Sequence, residues 1–326
     1  MDLEVLILPL YLRNFNKILI VILVIIILTL LYLYYFLNIK QINQKDFYLD
    51  IKKGANLEKI SNEILINDNF FEKKIYSIFL IIWNKYYNKI KFGEFRIEEK
   101  KNLIKITKIL SKPSNVYHEL KIIDGWQIYQ FNTLINEKFS KNLNIKYDQI
   151  LADTYFYQST DSIKQIIENM KTLKKNFFKK NNKNILLQKY TDKEILIIAS
   201  LVEKEAKNDS DKHLVSSVIF NRLNKKMRLQ IDASTIFAIT KGKYKFNRKL
   251  LIKDLKMQDP FNTYKIKGLP PEPICFVSRK TIEIVLENHK SDYLFYFYDE
   301  NLKKHIFSEN YKKHKEKLNA YRLNNG

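Results

Sequence analysis

Cysteine is nearly absent from this chain of 326 residues, because Cys275 is the only one. A single thiol excludes an intramolecular disulfide and leaves the redox compartment undetermined, so we expect Cys275 to be a buried structural residue. Histidine is also scarce, and the five histidines form no i, i+4 pair and no HExxH motif. The sequence therefore predicts no metal site and no cofactor.

Glycine and proline are scarce too, with six residues of each. Four of the prolines stand within residues 260–273 together with Gly268, which predicts a rigid, non-repetitive loop there. Hydrophobic residues make up 46% of the chain and aromatic residues 13%. Such a composition supports a sizeable core and excludes disorder as the main state.

Acidic residues are outnumbered, since 57 Lys and Arg against 35 Asp and Glu give a net charge of +22. The lysines are scattered through every segment, which is typical of a chain-wide compositional bias. A nucleic-acid binder would need a clustered basic face, so we predict no nucleic-acid partner. A basic surface still favours anionic partners such as lipid headgroups or an acidic polymer.

Charge is missing altogether from residues 18–37. At about 1.5 Å per residue this run measures about 30 Å, the thickness of a bilayer core. Tyrosines near its end are typical of an interfacial aromatic belt. No Ala, Gly or Ser lies between Ile18 and Lys53, so a cleavable signal peptide is excluded. The sequence predicts a retained transmembrane helix over 18–37.

The charges that flank this run do not decide its orientation. Arg13 and Lys17 precede it, and Lys40 and Lys45 follow it, so the positive-inside count is nearly balanced. A second apolar run at 75–83 is too short to span a bilayer. We expect it to form a core helix.

The rest of the chain predicts an α+β protein. Residues 38–46 read as a short polar tether, and a small α/β module follows over 45–115, where strand and helix patterns alternate. A connecting segment over 116–190 is Lys/Asn-rich near its end. From 191 to 326 the pattern is mainly helical, with a small sheet predicted from a hairpin near residues 300–301.

One helix places a carboxyl group among apolar side chains. In ILIIASLVEKEA, residues 195–206, helical spacing of about 100° per residue puts Ser200 and Lys204 on the polar side. Glu205 projects between Ile198 and Val202, well inside the apolar arc of the helix. Glu203 lies nearer the far edge of that arc. A carboxyl group in such surroundings has a raised pKa, as a general acid for a glycosidic oxygen requires. From this helix alone, a solvated or salt-bridged glutamate is the commoner outcome.

The motif ASLVEKEA at 199–206 resembles the signature of the endolytic murein transglycosylases, the YceG-like family. Further blocks match in order: VSSVIFNRL at 215–223, MRLQIDAS at 227–234, FNTY at 261–264, GLPP at 268–271 with Pro273 and Ile274, and HIF at 305–307 with His314. Upstream, GEFR at 93–96, the Asp124–Gly125 turn and ADTY at 152–155 are similar to family elements. The resemblance covers most of the chain.

Some positions depart from the family pattern. Ala152 replaces the usual proline, Glu272 stands where a small residue is expected, and the final motif has Asn310, Tyr311 and Lys313 before His314. We expect the rim of the cleft to differ while the core motif stays intact.

The resemblance implies a lyase that cuts the β-1,4 bond between N-acetylmuramic acid and N-acetylglucosamine, with Glu205 as its catalytic acid/base. It closes a 1,6-anhydro ring and adds no water, unlike the two-carboxylate glycosidases. The expected layout is a cytoplasmic N-terminus over 1–17, the anchor at 18–37 in the inner membrane, a LysM-like module and a YceG-like catalytic domain on the periplasmic side. The expected partners are the peptidoglycan glycan strand, the membrane and cell-wall synthases.

Other motif residues have two interpretations. Asn221, Gln230, Asn262 and Thr263 are expected to hydrogen-bond sugar hydroxyls and N-acetyl groups, and Tyr264 to stack on a sugar face. Arg222 is expected to pair with Glu203, Asp232 or a substrate carboxylate. The alternative is structural: Asn221 and Arg222 cap helices, the GLPP segment with Pro270 only shapes the loop, and Asp232 is a helix N-cap rather than a second acid.

Two other functions stay open beside the transglycosylase. A hydrolytic muramidase would use Glu205 with Asp232 or Glu203, and it would leave a reducing end in place of an anhydro end. A non-catalytic membrane scaffold of the cell-wall synthesis machinery would keep its function when Glu205 is replaced by glutamine.

Overall fold

The structure is a computed structural model that describes residues 3–42 and 44–323, with side chains from Phe15 onward. Two residues of the predicted N-terminus and the last three of the predicted catalytic domain lie outside the described residues. The chain divides into two compact units. The first unit comprises residues 1–118 and 157–161, and the second comprises 119–156 and 162–326.

The first unit begins with a long helix and continues as a small α/β module. Its elements are α1 (Leu3–Tyr34), a π-helical turn (Tyr35–Ile39), β1 (Phe47–Ile51), α2 (Leu57–Ile64), α3 (Phe70–Tyr86), β2 (Gly93–Ile97) and α4 (Leu103–Leu110). Asn56, Asn69 and Asn102 each cap a helix, and their side chains accept a hydrogen bond from a first-turn N–H. β1 and β2 pair antiparallel with Leu49 opposite Phe95, and both side chains are buried in the core.

The segment Phe15–Ile39 is long and apolar enough to cross a membrane, with a mean hydropathy of 3.0. Its end is part of the module. Phe36 is fully buried in the core of the first unit, the Asn102 side chain donates to the Asn38 carbonyl at 2.5 Å, and the Ile42 N–H donates to the Lys101 carbonyl. The prediction of a polar tether over 38–46 was therefore wrong at its start.

The second apolar run lies in α3, and the expectation of a core helix holds for only one face. Tyr76, Ser77 and Leu80 are buried, but Ile78 and Ile81 are about half exposed, at 50% and 52%. This helix is amphipathic, and only its inner face packs against the module.

The second unit is mainly helical with two small sheets. Its elements, apart from the first residue of β3 and the last residue of β4, are β3 (His118–Lys121), α5 (Ile128–Phe139), β4 (Thr154–Tyr157), α6 (Ile163–Lys180), α7 (Ile185–Lys189), α8 (Asp192–Glu205), α9 (Asp209–Asn224), α10 (Asp232–Thr240), α11 (Ile252–Leu255), α12 (Arg279–Leu286), β5 (Phe295–Asp299), β6 (Lys304–Ser308) and α13 (Tyr311–Leu323). β3 pairs with β4, and β5 pairs antiparallel with β6. The predicted mixture of helices, small sheets and an apolar N-terminal helix is confirmed.

Helix α8 lies at the centre of the second unit. Thr191 and Glu194 form a capping box at its start, and every residue from Ile195 to Val202 is buried. Ser200 was expected on a polar side, but it is fully buried and accepts a hydrogen bond from the Ile274 N–H at 3.0 Å. This bond holds the proline-rich segment against α8. Cys275 is buried there, as expected.

Candidate active site

A cleft of about 950 Å³ opens at the C-terminal end of α8. Five parts of the second unit line it: the end of α8 through Lys207, Lys212 of α9, the first half of α10, residues between 124 and 130, and the pair Lys245–Phe246. Gly125 makes the turn at its edge with a φ of +76°, a conformation that glycine adopts without strain. The Gly125 N–H donates to the Phe276 carbonyl and the Gly125 carbonyl accepts from Lys204, so the turn is fixed beside α8.

Glu205 is the last residue of α8, and its partly exposed side chain lines the cleft. The Tyr296 hydroxyl donates to Glu205 Oε2 at 3.3 Å, and the Ala233 N–H at the start of α10 donates to the same carboxyl group. Burial raises the pKa of Glu205 to about 7, and the charge of Asp232 contributes to the rise. The two hydrogen bonds act in the opposite direction. This carboxyl group is therefore protonated in part at neutral pH.

Glu203 lies two residues earlier and has a different environment. Its carboxylate pairs with Lys212 at 2.7 Å, and both side chains are nearly buried, at 6% and 7% exposure. Lys212 also donates to Thr281 Oγ1 at 2.8 Å, and Ser278 donates to Glu203 at 3.3 Å. Helical spacing put Glu203 nearer the far edge of the apolar arc, and the structure buries its carboxylate against Lys212. Its charge is balanced, and its role in the described structure is to join α8, α9 and α12.

Asp232 begins α10 but does not cap it. The N-cap position is Ile231 without a side-chain cap, so the prediction of an Asp232 cap was wrong. Its carboxylate instead accepts the Tyr264 hydroxyl at 2.6 Å and lies in the same cleft as Glu205. Burial and this bond to Asp232 raise the pKa of Tyr264, which stays a hydrogen-bond donor.

Asn262 and Thr263 stand behind the cleft and are fully buried. The Asn262 amide donates to the Met257 carbonyl at 2.8 Å and accepts from Thr235 at 2.9 Å. Thr263 Oγ1 accepts from the Ile231 N–H at 2.8 Å and bonds to the Ser234 hydroxyl. These residues position the start of α10, and with it the Ala233 N–H, which is the structural alternative considered from the sequence.

Asn221 and Arg222 bind backbone rather than carboxylates. Asn221 donates to the Ser291 and Tyr293 carbonyls at 2.7 and 2.9 Å. Arg222 is buried and donates to the Leu294 and Leu229 carbonyls, both at 2.6 Å. The expected pairing of Arg222 with Glu203 or Asp232 is replaced by these bonds. Together the two side chains position β5, which carries Tyr296.

Gln230 and Pro270 lie apart from the carboxyl groups. Gln230 is exposed and has a left-handed backbone with a φ of +52°, which is uncommon for a residue other than glycine. Pro270 lines a separate groove with Tyr190, Leu223 and Leu269. The structure therefore brings Glu203, Glu205 and Asp232 into the cleft and places the remaining predicted site residues around or away from it.

Several cleft residues were missed by sequence reasoning. Trp126, Tyr129, Lys212, Lys245 and Phe246 line the cleft, and Tyr296 contacts Glu205 from β5. Trp126 directly follows the recognised Asp124–Gly125 turn, so that turn was a usable signal. No local signal marks Tyr296, because it is one of four consecutive aromatic residues, FYFY at 295–298.

The described residues contain no cluster of side chains that could ligate a metal ion. Across residues 3–42 and 44–323, no group of three His, Cys, Asp or Glu side chains lies close enough to hold a metal ion.

The chain belongs to the YceG-like family, whose sequence pattern matches residues 49–320. A crystal structure of a yceG-like protein from Listeria monocytogenes is 25% identical, with a TM-score of 0.54 over 84% of this chain and 99% of that one. Fold and family therefore agree over both units.

Two relatives carry the same name. The endolytic murein transglycosylase of Bacillus subtilis strain 168 is 33% identical over 192 residues, which cover 58% of this chain and 52% of that protein. The endolytic murein transglycosylase of Streptococcus pneumoniae serotype 2 is 29% identical over 193 residues, which cover 57% of this chain and 35% of that protein. The match thus spans about half the length of these relatives or less.

Proposed function

We propose that this protein is an endolytic peptidoglycan lytic transglycosylase and that Glu205 is its acid/base. One observation carries the proposal: a carboxyl group with its pKa raised to about 7 lines a cleft large enough for several sugar rings. A general acid works best when its pKa lies near the working pH. The names of the Bacillus and Streptococcus relatives support the same activity.

The proposed reaction uses one carboxyl group twice. Protonated Glu205 gives its proton to the oxygen that bridges N-acetylmuramic acid and N-acetylglucosamine, and the glycosidic bond breaks. The resulting carboxylate accepts the proton of the muramoyl 6-hydroxyl as that oxygen attacks C1. A 1,6-anhydro ring forms, and Glu205 is protonated again for the next cycle.

The neighbours of Glu205 stabilise its charged form during this cycle. The Tyr296 hydroxyl and the Ala233 N–H both donate to the carboxyl group, and hydrogen bonds to a carboxylate favour ionisation. Asp232 acts in the opposite direction through its charge. Asp232 and Tyr296 therefore act as positioning residues that balance the two protonation states.

The cleft wall supplies the groups that a glycan with peptide stems requires. Trp126 and Phe246 present partly exposed aromatic rings, which suit stacking on sugar faces. Lys204, Lys207 and Lys245 are exposed along the same cleft and are placed to attract the carboxylates of peptide stems.

The remaining layout is part of the same proposal. Segment Phe15–Ile39 anchors the chain in the inner membrane with the second unit on the periplasmic side, and cell-wall synthases are its partners there. The order β1, α2, α3, β2 in the first unit, with an antiparallel strand pair, supports a LysM-like module. The predicted boundaries at 45–115, 116–190 and 191–326 stay proposals.

The hydrolytic alternative depends on a second carboxylate, and the geometry favours one candidate over the other. Glu203 is engaged in a buried ion pair, whereas Asp232 lies in the cleft and accepts from Tyr264. A muramidase would therefore use Glu205 with Asp232. Its product would carry a reducing end.

Product analysis tests the proposal. The full-length chain is used in detergent or lipid, because removing the anchor would also remove the core residue Phe36. Nascent uncrosslinked glycan and purified sacculi are digested by wild type, Glu205→Gln and the surface control Glu283→Gln, and the ends are identified by mass spectrometry.

We expect 1,6-anhydro ends from wild type and Glu283→Gln and none from Glu205→Gln. Reducing ends would identify a hydrolase. If a folded wild type cleaves neither substrate, the proposal of an enzyme is wrong, and the non-catalytic membrane scaffold is the remaining hypothesis.

A further inference from the structure

Three large apolar side chains are exposed at the start of α3. Phe70 is 79% exposed, Phe71 67% and Ile66, just before the helix, 64%. Exposure of this size for clustered phenylalanines is costly in water. We call Ile66, Phe70 and Phe71 the apolar edge.

The apolar edge lies beside the end of the apolar span. Lys40 directly follows segment Phe15–Ile39, and its Nζ contacts Asp68 at 2.7 Å and Glu72 at 2.5 Å. Asp68 and Glu72 bracket Phe70 and Phe71 in the sequence. A single lysine side chain therefore connects the end of the span to the edge.

The connection between span and edge is rigid. Phe36, within the span, is fully buried in the core that also holds Tyr76 and Leu80 of α3. Asn102 donates to the Asn38 carbonyl at 2.5 Å. A bilayer that takes up the span is thereby set at a fixed height relative to the start of α3.

The chemistry of the edge suits the interface between headgroups and acyl chains. That layer is roughly 5–8 Å thick on each side of the hydrocarbon core, and aromatic side chains concentrate in it. On α3, helical spacing puts the exposed Lys74 on the same side as Phe70 and Phe71, and its Nζ pairs with Glu58 at 3.1 Å. The aromatic side chains and their place beside the end of the span therefore favour lipid.

We propose that the apolar edge inserts into the outer layer of the membrane that holds the span, and that its occupant is lipid. This makes a second contact, so that the first unit lies against the bilayer instead of hanging from one helix. The proposal rests on the proposed anchor, but it adds a contact that the anchor alone does not require.

The test uses the full-length protein in vesicles of phosphatidylethanolamine and phosphatidylglycerol. Ile66, Phe70 and Phe71 are changed one at a time to cysteine and labelled with an environment-sensitive fluorophore. The native Cys275 is fully buried and does not compete for the label. Quenching is measured with doxyl-labelled lipid and, separately, with aqueous iodide.

Two further labelled positions serve as controls. Ile25→Cys lies in the middle of the span and reports whether the span is inserted. Ile252→Cys lies in the second unit, is 75% exposed and matches the edge in exposure. We expect doxyl quenching at Ile25 and at all three edge positions, and iodide quenching at Ile252.

The outcomes separate the edge from the anchor. Doxyl quenching at Ile25 with iodide quenching at the edge would overturn the edge proposal and leave the anchor intact. Iodide quenching at Ile25 would overturn both. Edge protection from iodide that appears only at high protein-to-lipid ratio, without doxyl quenching, would identify a second copy as the occupant and would also overturn the proposal.

Discussion

Glu203 and Glu205, both in the last turn of α8, have opposite environments. On one side Glu203 is paired with Lys212 inside the protein. On the other side Glu205 faces the cleft, where burial and Asp232 raise its pKa and two neutral donors contact it. The charge of Glu203 is balanced by a buried lysine, whereas Glu205 has no ion pair within the described residues.

Glu205→Gln has the largest expected effect. Glutamine keeps the shape and loses the exchangeable acid proton, so kcat should fall by roughly 10²–10⁴-fold. Because no ion pair to Glu205 exists within the described residues, folding should be retained. Rate and melting temperature are measured together. A variant that keeps its rate would show that Glu205 is not the acid/base. A variant with a much lower melting temperature would show that Glu205 contributes to folding, contrary to the expectation.

Glu203→Gln should instead lower stability. It leaves Lys212 buried without its counter-charge, which costs about 3–5 kcal/mol. Chemical denaturation of the variant measures this. The double variant Glu203→Gln/Lys212→Met is the control, and it should recover much of the loss because the unpaired charge is gone. Equal losses in both variants would show that the ion pair is not the cause.

Thr263→Val should have an intermediate effect. The Ile231 N–H loses its acceptor, and an unsatisfied buried donor costs about 1–3 kcal/mol. Since Thr263 fixes the start of α10, activity should fall further than the stability loss explains. Thr133→Val, at an exposed threonine on α5, is the matched control and should stay within about 0.5 kcal/mol of wild type.

The smallest expected effects are shifts of the pH profile. The acid form of Glu205 is required, so kcat/KM should fall as pH rises through about 7. Asp232→Asn removes a negative charge and should move that limb to lower pH. Tyr296→Phe removes a donor to the carboxylate and should move it to higher pH. Shifts in the same direction would contradict the assigned causes.

The same pKa has a consequence for stability. The folded-state pKa of Glu205 lies above its ordinary value of 4.5, so its contribution is full below pH about 4.5 and is lost as pH rises through about 7. Glu205→Gln should flatten this part of the stability profile.

Local patterns predicted much of the fold. The alternating strands and helices of the small module and the hairpin near residues 300–301 follow from short-range signals. The Lys/Asn-rich sequence of residues 172–190 left open an amphipathic or an irregular connector, and in the structure α6 runs through it as far as Lys180. The prediction of a polar tether over 38–46 was wrong at its start, because Phe36 and Ile42 belong to the core of the first unit. No local sequence signal shows that these two side chains reach a core built from distant strands.

The site was harder to predict than the fold. Helical periodicity singled out Glu205, but it put Ser200 on a polar side, whereas every residue from Ile195 to Val202 is buried. The partners of Glu205 come from residues 28 and more positions away, such as Ala233 and Tyr296. Contacts of this kind are set by tertiary packing.

The most direct measurement is the titration of Glu205 itself. Carboxyl ¹³C NMR of glutamate-labelled protein, with the signal assigned by its loss in Glu205→Gln, gives the protonation state in the folded chain. The account predicts a midpoint at about 7. A midpoint near the ordinary 4.5 would show a carboxylate that is ionised at neutral pH, and it would contradict Glu205 as the general acid.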